Sequence, residues 1–146
     1  MKRFLAPLVW GSLLLVVLIA CTPLTSPYSE QAYRNATTLK AESLALIAKS
    51  GDSYGSHRAE AEALMLSMRS AYEYSAGAPR NEVVTNLWAQ MINPQSGLMG
   101  DFLKVWRENG PRNSEERFER TDLISDAFDV LICVEATKKD VDACSK

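Results

Sequence analysis

The sequence predicts an all-α protein, a small antiparallel bundle of about five helices that follows a cleaved N-terminal signal segment. Three observations carry that reading. From residue 29 onward, apolar residues recur at three/four spacing in five successive segments. Gly, Pro and Asn clusters separate those segments, and none of them reads as a convincing strand. The first twenty residues follow neither rule, because from Phe4 to Ala20 the chain is apolar all round and carries no charge.

The size and composition fit one domain. The chain has 146 residues, 47% of them hydrophobic and 23% charged, which excludes a wholly disordered chain and leaves no room for two ordinary domains. Lys2 and Arg3 followed by "FLAPLVWGSLLLVVLIA" have the form of a signal segment, a positive start before an apolar run about as long as the shortest membrane-spanning helices. The alternative is a permanent N-terminal anchor helix.

The end of that run resolves the choice. Leu18-Ile19-Ala20-Cys21 resembles the lipobox of bacterial lipoprotein precursors. The resemblance implies that a lipid is attached to Cys21, that residues 1–20 are removed and that Cys21 becomes the acylated N-terminus. Ile19 is permitted in that pattern but less typical. In that class an Asp directly after the cysteine retains the protein at the inner membrane; Thr22 stands there instead, which implies the outer membrane, on its periplasmic side. The resemblance covers about the first 21 residues only. It divides the chain into a signal segment (1–20), a lipidated cysteine with a short tether (21–28) and a helical bundle (29–146). The tether "TPLTSPY" spans roughly 25 Å fully extended, so the bundle sits close to the membrane. Removal of Lys2 and Arg3 from the 16 basic residues leaves 14 against 18 acidic ones, a formal charge of −4. A basic surface is not implied, so nucleic acid is excluded as a partner.

Each helix has its own start, stop and buried stripe. The first is expected from about Ser29 to Ser50, with Ser29 as N-cap, Glu30 in the first turn and Gly51 at the C′ position. Its stripe is modest: Tyr33, Ala36, Leu39/Lys40, Ser43/Leu44 and Ile47. The second runs from about Ser56 to Ala76, closed by Gly77 and Pro79, and buries Ala61, Leu64, Met65, Met68, Ala71 and Tyr72. The third starts near Asn81 with a broad face of Val83, Val84, Leu87, Trp88, Met91 and Ile92, and "NPQSG" (93–97) breaks it. The fourth resumes near Leu98 with Met99, Phe102, Leu103 and Trp106, and Asn109-Gly110-Pro111 ends it. The fifth is capped by Ser114, has Glu115 and Glu116 in its first turn, and presents Phe118, Ile124, Ala127, Phe128, Leu131 and Val134, extending to about Lys138. Short connections favour antiparallel neighbours, with Trp88, Trp106, Phe102, Phe118 and Phe128 as the bulk of the core.

With Cys21 set aside, Cys133 and Cys144 remain, and two further cysteines in an exported protein suggest a disulfide. Along one continuous helix these positions lie about 16 Å apart, whereas a disulfide needs Cα atoms within about 7 Å. The bond therefore requires the last helix to end before Cys144 and the tail to fold back.

Groups that would carry chemistry are scarce. His57 is the only histidine; it lies beside Ser53 and Ser56 and is expected as an exposed residue of a helix's first turn. One histidine excludes the common zinc patterns, and no nucleotide or calcium-loop motif occurs. No catalytic residue, metal ligand or cofactor is assigned beyond the covalent lipid on Cys21. Glu115, Glu119, Asp122, Asp126 and Asp129 are spaced four, three, four, three, which places five acids in one stripe of the last helix. The stripe is either a solvated face or a contact for a basic partner or a cation, and Arg117 and Arg120 beside it could neutralise part of it. Trp106-Arg107 is either an exposed recognition pair or, the favoured reading, a core tryptophan followed by a surface arginine. Met65, Met68, Met91 and Met99 could line an adaptable groove, though ordinary packing explains them equally.

These features point to a membrane-anchored envelope lipoprotein without catalytic activity, a helical module that contacts another envelope protein, similar in outline to accessory or pilot factors of secretion and transfer systems. Two other readings are an immunity or exclusion protein that binds a toxin or phage component, and an enzyme or small-ligand carrier with a pocket between helices.

Overall fold

A computed structural model describes residues 26–139 and 141–145. The signal segment, Cys21 and the first part of the tether lie outside the described residues. Helix α1 spans Glu30–Lys49, α2 Arg58–Ala76, α3 Glu82–Ile92, α4 Met99–Asn109, α5 Ser114–Thr137 and the single turn α6 Val141–Cys144, with a 3₁₀ turn at Tyr54–His57 before α2. The described residues contain no strand, and the all-α bundle is the fold. No helix among them is long and apolar enough to cross a membrane.

The caps explain most of the boundaries. Ser29 accepts from the Ala32 amide and starts α1 as expected. Gly77 closes α2, and Asn81 stands before α3 with its side-chain amide donating to the Ser75 carbonyl at 3.1 Å. The cap of α5 is Asn113 rather than Ser114; Asn113 and Glu116 exchange side-chain and backbone bonds in a capping box, which fixes the start one residue earlier. Gly51 does not adopt the left-handed conformation foreseen for it. It is small for another reason: a Cβ there would lie 2.6 Å from an Arg117 guanidinium nitrogen.

Helices α1, α2, α3 and α5 alternate in direction. Ser29 bonds Tyr74 at one end of the α1–α2 pair and Lys49 pairs with Glu60 at the other. Lys40 pairs with Asp129, and the Ser50 carbonyl accepts from the Arg112 amide at 2.7 Å, so α5 begins where α1 ends. Helix α4 packs against α3 and the 3₁₀ turn and closes that end of the bundle. Inside lie Trp88, Phe102, Trp106 and Phe128, all at most 2% exposed, with Leu46, Ile47, Met68, Met91, Met99, Ile124 and Leu131 around them. Each large side chain buried in this way contributes roughly 1.5–3 kcal/mol. Met68, Met91 and Met99 are core residues and Met65 packs against them, so the methionines form no open groove.

Two expected core residues are on the surface. Phe118 is 67% exposed and Val83 45%. The buried positions of α5, Ile124, Phe128, Leu131 and Glu135, set the phase of the helix. Phe118 lies six residues before Ile124, about 120° around the helix from that face. The half-buried positions in that part of α5 belong to Glu116, Arg117, Arg120 and Thr121.

The tail meets the geometric condition for a disulfide. Helix α5 stops at Thr137 because Lys138 adopts a left-handed conformation (φ 54°) with its amide donating to the Val134 carbonyl, a helix stop usually given to glycine. The chain then turns back, and Cys133 and Cys144 are bonded with Cα atoms 5.7 Å apart. Reduction of this bond is expected to lower stability in denaturant melts by up to about 3 kcal/mol, from the loop it closes, while far-ultraviolet dichroism remains helical.

The turn from α3 to α4 is the tightest point of the fold. A Cβ on Gly100 would lie 2.3 Å from the Ile92 carbonyl oxygen and 2.9 Å from the Asn93 carbonyl carbon, both backbone atoms. Gly100→Ala is expected to lower stability by about 2 kcal/mol in urea unfolding, whereas Gly51→Ala, which meets only a flexible arginine tip, should cost clearly less.

Candidate functional site

Helix α5 carries the most distinctive surface. Glu115, Glu119, Asp122, Asp126 and Asp129 are all exposed, so the acidic stripe is on the outside of the bundle as its spacing requires. Asp129 alone of the five is engaged by another helix, through Lys40 of α1 at 2.7 Å. The neighbouring arginines do not neutralise the stripe. Arg117 donates to the Arg112 carbonyl at 2.8 Å, and Arg120 donates to the Gly97 carbonyl and pairs with Asp101 at 3.4 Å. Both reach toward the closed end of the bundle because they occupy half-buried positions of α5.

Beside the stripe is a groove of about 310 Å³ between α5 and the disulfide-bonded tail. Leu123, Ala127 and Val130 line it together with Asp126, Asp129, Cys144 and Ser145. Leu123 is 47% exposed. The surface thus combines an apolar strip with carboxylates along its border. The groove depends on the fold-back of the tail, which is legible in the sequence only as a condition on a Cys133–Cys144 bond.

The Trp106-Arg107 pair divides. Trp106 is fully buried, its indole nitrogen donates to the Asp52 carbonyl at 3.0 Å, and Tyr54 meets its ring edge-on at 5.3 Å. Arg107 points outward beside Glu108. Adjacent residues of a helix point about 100° apart, so a joint recognition pair does not form, and Trp106 is excluded as a contact residue.

His57 departs from its expected place. Its side chain is only 20% exposed, between Asp52 at 3.0 Å and Glu60 at 3.6 Å, with its ring 6.0 Å from that of Trp106. Sequence reasoning missed these partners because the 3₁₀ turn at Tyr54–His57, not the first turn of α2, places the ring. Ser53 and Ser56 bond each other at 2.9 Å rather than His57, so the three do not form a nucleophile–base pair.

Glu135 is a second residue the sequence reading passed over. It is 1% exposed and bonded to the Lys138 ammonium across the left-handed turn. Its position, four residues after Leu131 and seven after Phe128, was the available signal that it shares their buried face. Between α1 and α2 lies an open polar groove of about 710 Å³ whose lining includes Gln31, Asn35, Thr38, Ser70 and Tyr74. Among the described residues no group of three or more His, Cys, Asp or Glu side chains is placed to hold a metal ion.

No protein-family model matches the chain, and no curated protein or solved structure is significantly similar to it.

Two carboxylates at the end of the bundle that α4 closes titrate below the ordinary value of 4.5. Glu116 is lowered by its hydrogen bond from Arg112 and then by the Asn113 amide, and Glu60 by its hydrogen bond from Lys49. A depressed folded-state pKa stabilises the protein fully above the unfolded value, and that stability is lost as the pH falls through the folded one. Thermal melts are therefore expected to weaken below about pH 4.5, the ordinary value for both groups. Glu116→Gln should be less stable than wild type at pH 7, and the difference should shrink at pH 3.

Proposed function

We propose that this chain is a lipid-anchored envelope lipoprotein whose helical domain is a non-catalytic module, docking another envelope protein on the outer face of α5. Acylation of Cys21 after removal of residues 1–20 would hold the domain at the membrane, and Thr22 in place of Asp favours the outer membrane. The observation that carries the docking reading is the pairing of an apolar strip, Leu123, Ala127 and Val130, with a border of exposed acids that includes Asp126 and Asp129. Apolar surface supplies affinity, and the acids select a basic partner and speed its encounter. An accessory or pilot role in a secretion or transfer system fits a small module of this kind. The scarcity of grouped catalytic side chains among the described residues supports a binding role over an enzymatic one.

Two measurements test this. In metabolic labelling with a fatty-acid probe, wild type should be labelled and Cys21→Ser should not; equal labelling would remove the anchor. In membrane pull-downs, Glu119→Lys/Asp126→Lys should recover the partner at least tenfold less than wild type. Recovery of the same partner at the same level by both would reject the α5 face as the contact.

A further inference from the structure

The described chain joins the bundle at one defined end. Ser26 is buried, and its amide donates to the Arg80 carbonyl in the α2–α3 turn at 3.1 Å. Three residues later the Ser29 hydroxyl, which caps α1, is bonded to the Tyr74 hydroxyl at 2.9 Å. The entry point is therefore where α1 starts, α2 ends and α3 starts. The tether expected to run to Tyr28 is already fixed to the domain at Ser26.

The two ends of the bundle differ in the residues they expose. At the entry end, two uncharged segments meet, 26–29 (SPYS) and 74–79 (YSAGAP). Tyr28 and Tyr74 are 56% and 45% exposed there. The nearest charges are Glu30, paired with Arg34 at 2.7 Å, Glu73 beside Tyr74, Arg80 and Glu82 around the α2–α3 turn, and, because α5 ends where α1 begins, Lys138 and Lys139. The opposite end is dense with ionised groups, among them Lys49, Asp52, Glu60, Arg107, Arg112 and Glu116.

We propose that the entry end rests on the headgroup layer of a lipid bilayer, with Tyr28 and Tyr74 at the interface, and that the opposite end points away from it. The proposal depends on the reading of Cys21 as the acylated residue. From Cys21 to Ser26 the chain can extend roughly 17 Å. Helix α1 alone, with 20 residues, is about 30 Å long. The tether is thus shorter than the bundle, and the far end cannot be brought to the point of attachment. Tyrosine favours the interface because its ring is apolar and its hydroxyl stays hydrated. Because α5 runs alongside α1, the acidic face then looks sideways along the membrane, toward a partner held at the same surface.

Position-specific quenching tests the orientation. With Cys21 acylated and Cys133 bonded to Cys144, an introduced cysteine is the sole free thiol. Ala76→Cys and Asn109→Cys place that thiol at the entry end and the far end, both exposed. The full-length acylated protein, labelled with a fluorophore, is reconstituted in phosphatidylethanolamine/phosphatidylglycerol vesicles that carry a headgroup nitroxide lipid. Quenching at position 76 should be at least threefold that at 109, and Tyr28→Ser/Tyr74→Ser should lose at least half of it. Equal quenching at both positions, or more at 109, would overturn the orientation while leaving the anchor intact, and quenching unaltered by the double substitution would remove the tyrosines from the contact. Mass spectrometry before labelling separates the two ideas: a chain without acyl groups on Cys21 overturns both.

Discussion

The bundle depends on how the backbone leaving α1 is satisfied. The last carbonyls of a helix have no partner within it. Here the Ser50 carbonyl accepts from Arg112, the residue just ahead of the α5 cap, and two residues on the Asp52 carbonyl accepts from the buried Trp106 indole. These two bonds join segments more than fifty residues apart in the chain. They place α4 and α5 against α1 and put the buried Trp106 indole within reach of an acceptor. Gly51 lies between the two acceptors, and its lack of a side chain leaves room for the Arg117 guanidinium, which itself holds the Arg112 carbonyl. A buried indole without such an acceptor would leave a costly unmet donor.

Much of this was legible in the sequence. Helix signals are local: a cap such as Ser29, a breaker such as Gly77-Ala78-Pro79, and apolar spacing such as Val84, Trp88, Met91 are each complete within one segment. What failed was phase. Phe118 looked like core by residue type, but the strongest contacts of α5 lie further along, and they rotate Phe118 outward and Glu135 inward. The same holds at the candidate site. The acidic stripe was readable because it lies on a single helix, whereas the environments of His57 and Trp106 are built from a turn and two separated segments. The apolar groove beside the stripe exists only because Lys138 takes a left-handed conformation, which no breaker residue announced.

The surface varies along the axis of the bundle as well as around it. Around it, the acids of α5 face outward and its arginines reach inward to backbone carbonyls. Along it, an end with two exposed tyrosines opposes an end in which Glu60 and Glu116 are each held ionised by a cation. A chain of small net charge thereby presents three chemically distinct surfaces, and the proposed membrane and partner contacts use two of them without competing.

The antiparallel contact of α1 with α5 has a mechanical consequence. For a chain held at its N-terminus and engaged through α5, any pull between membrane and partner passes across that contact. Both points of attachment lie toward the same end of this antiparallel pair, so the load falls first on the contacts at that end, Lys40–Asp129 among them. The disulfide lies at the end of α5 nearest the anchor, where it ties down the tail bordering the groove.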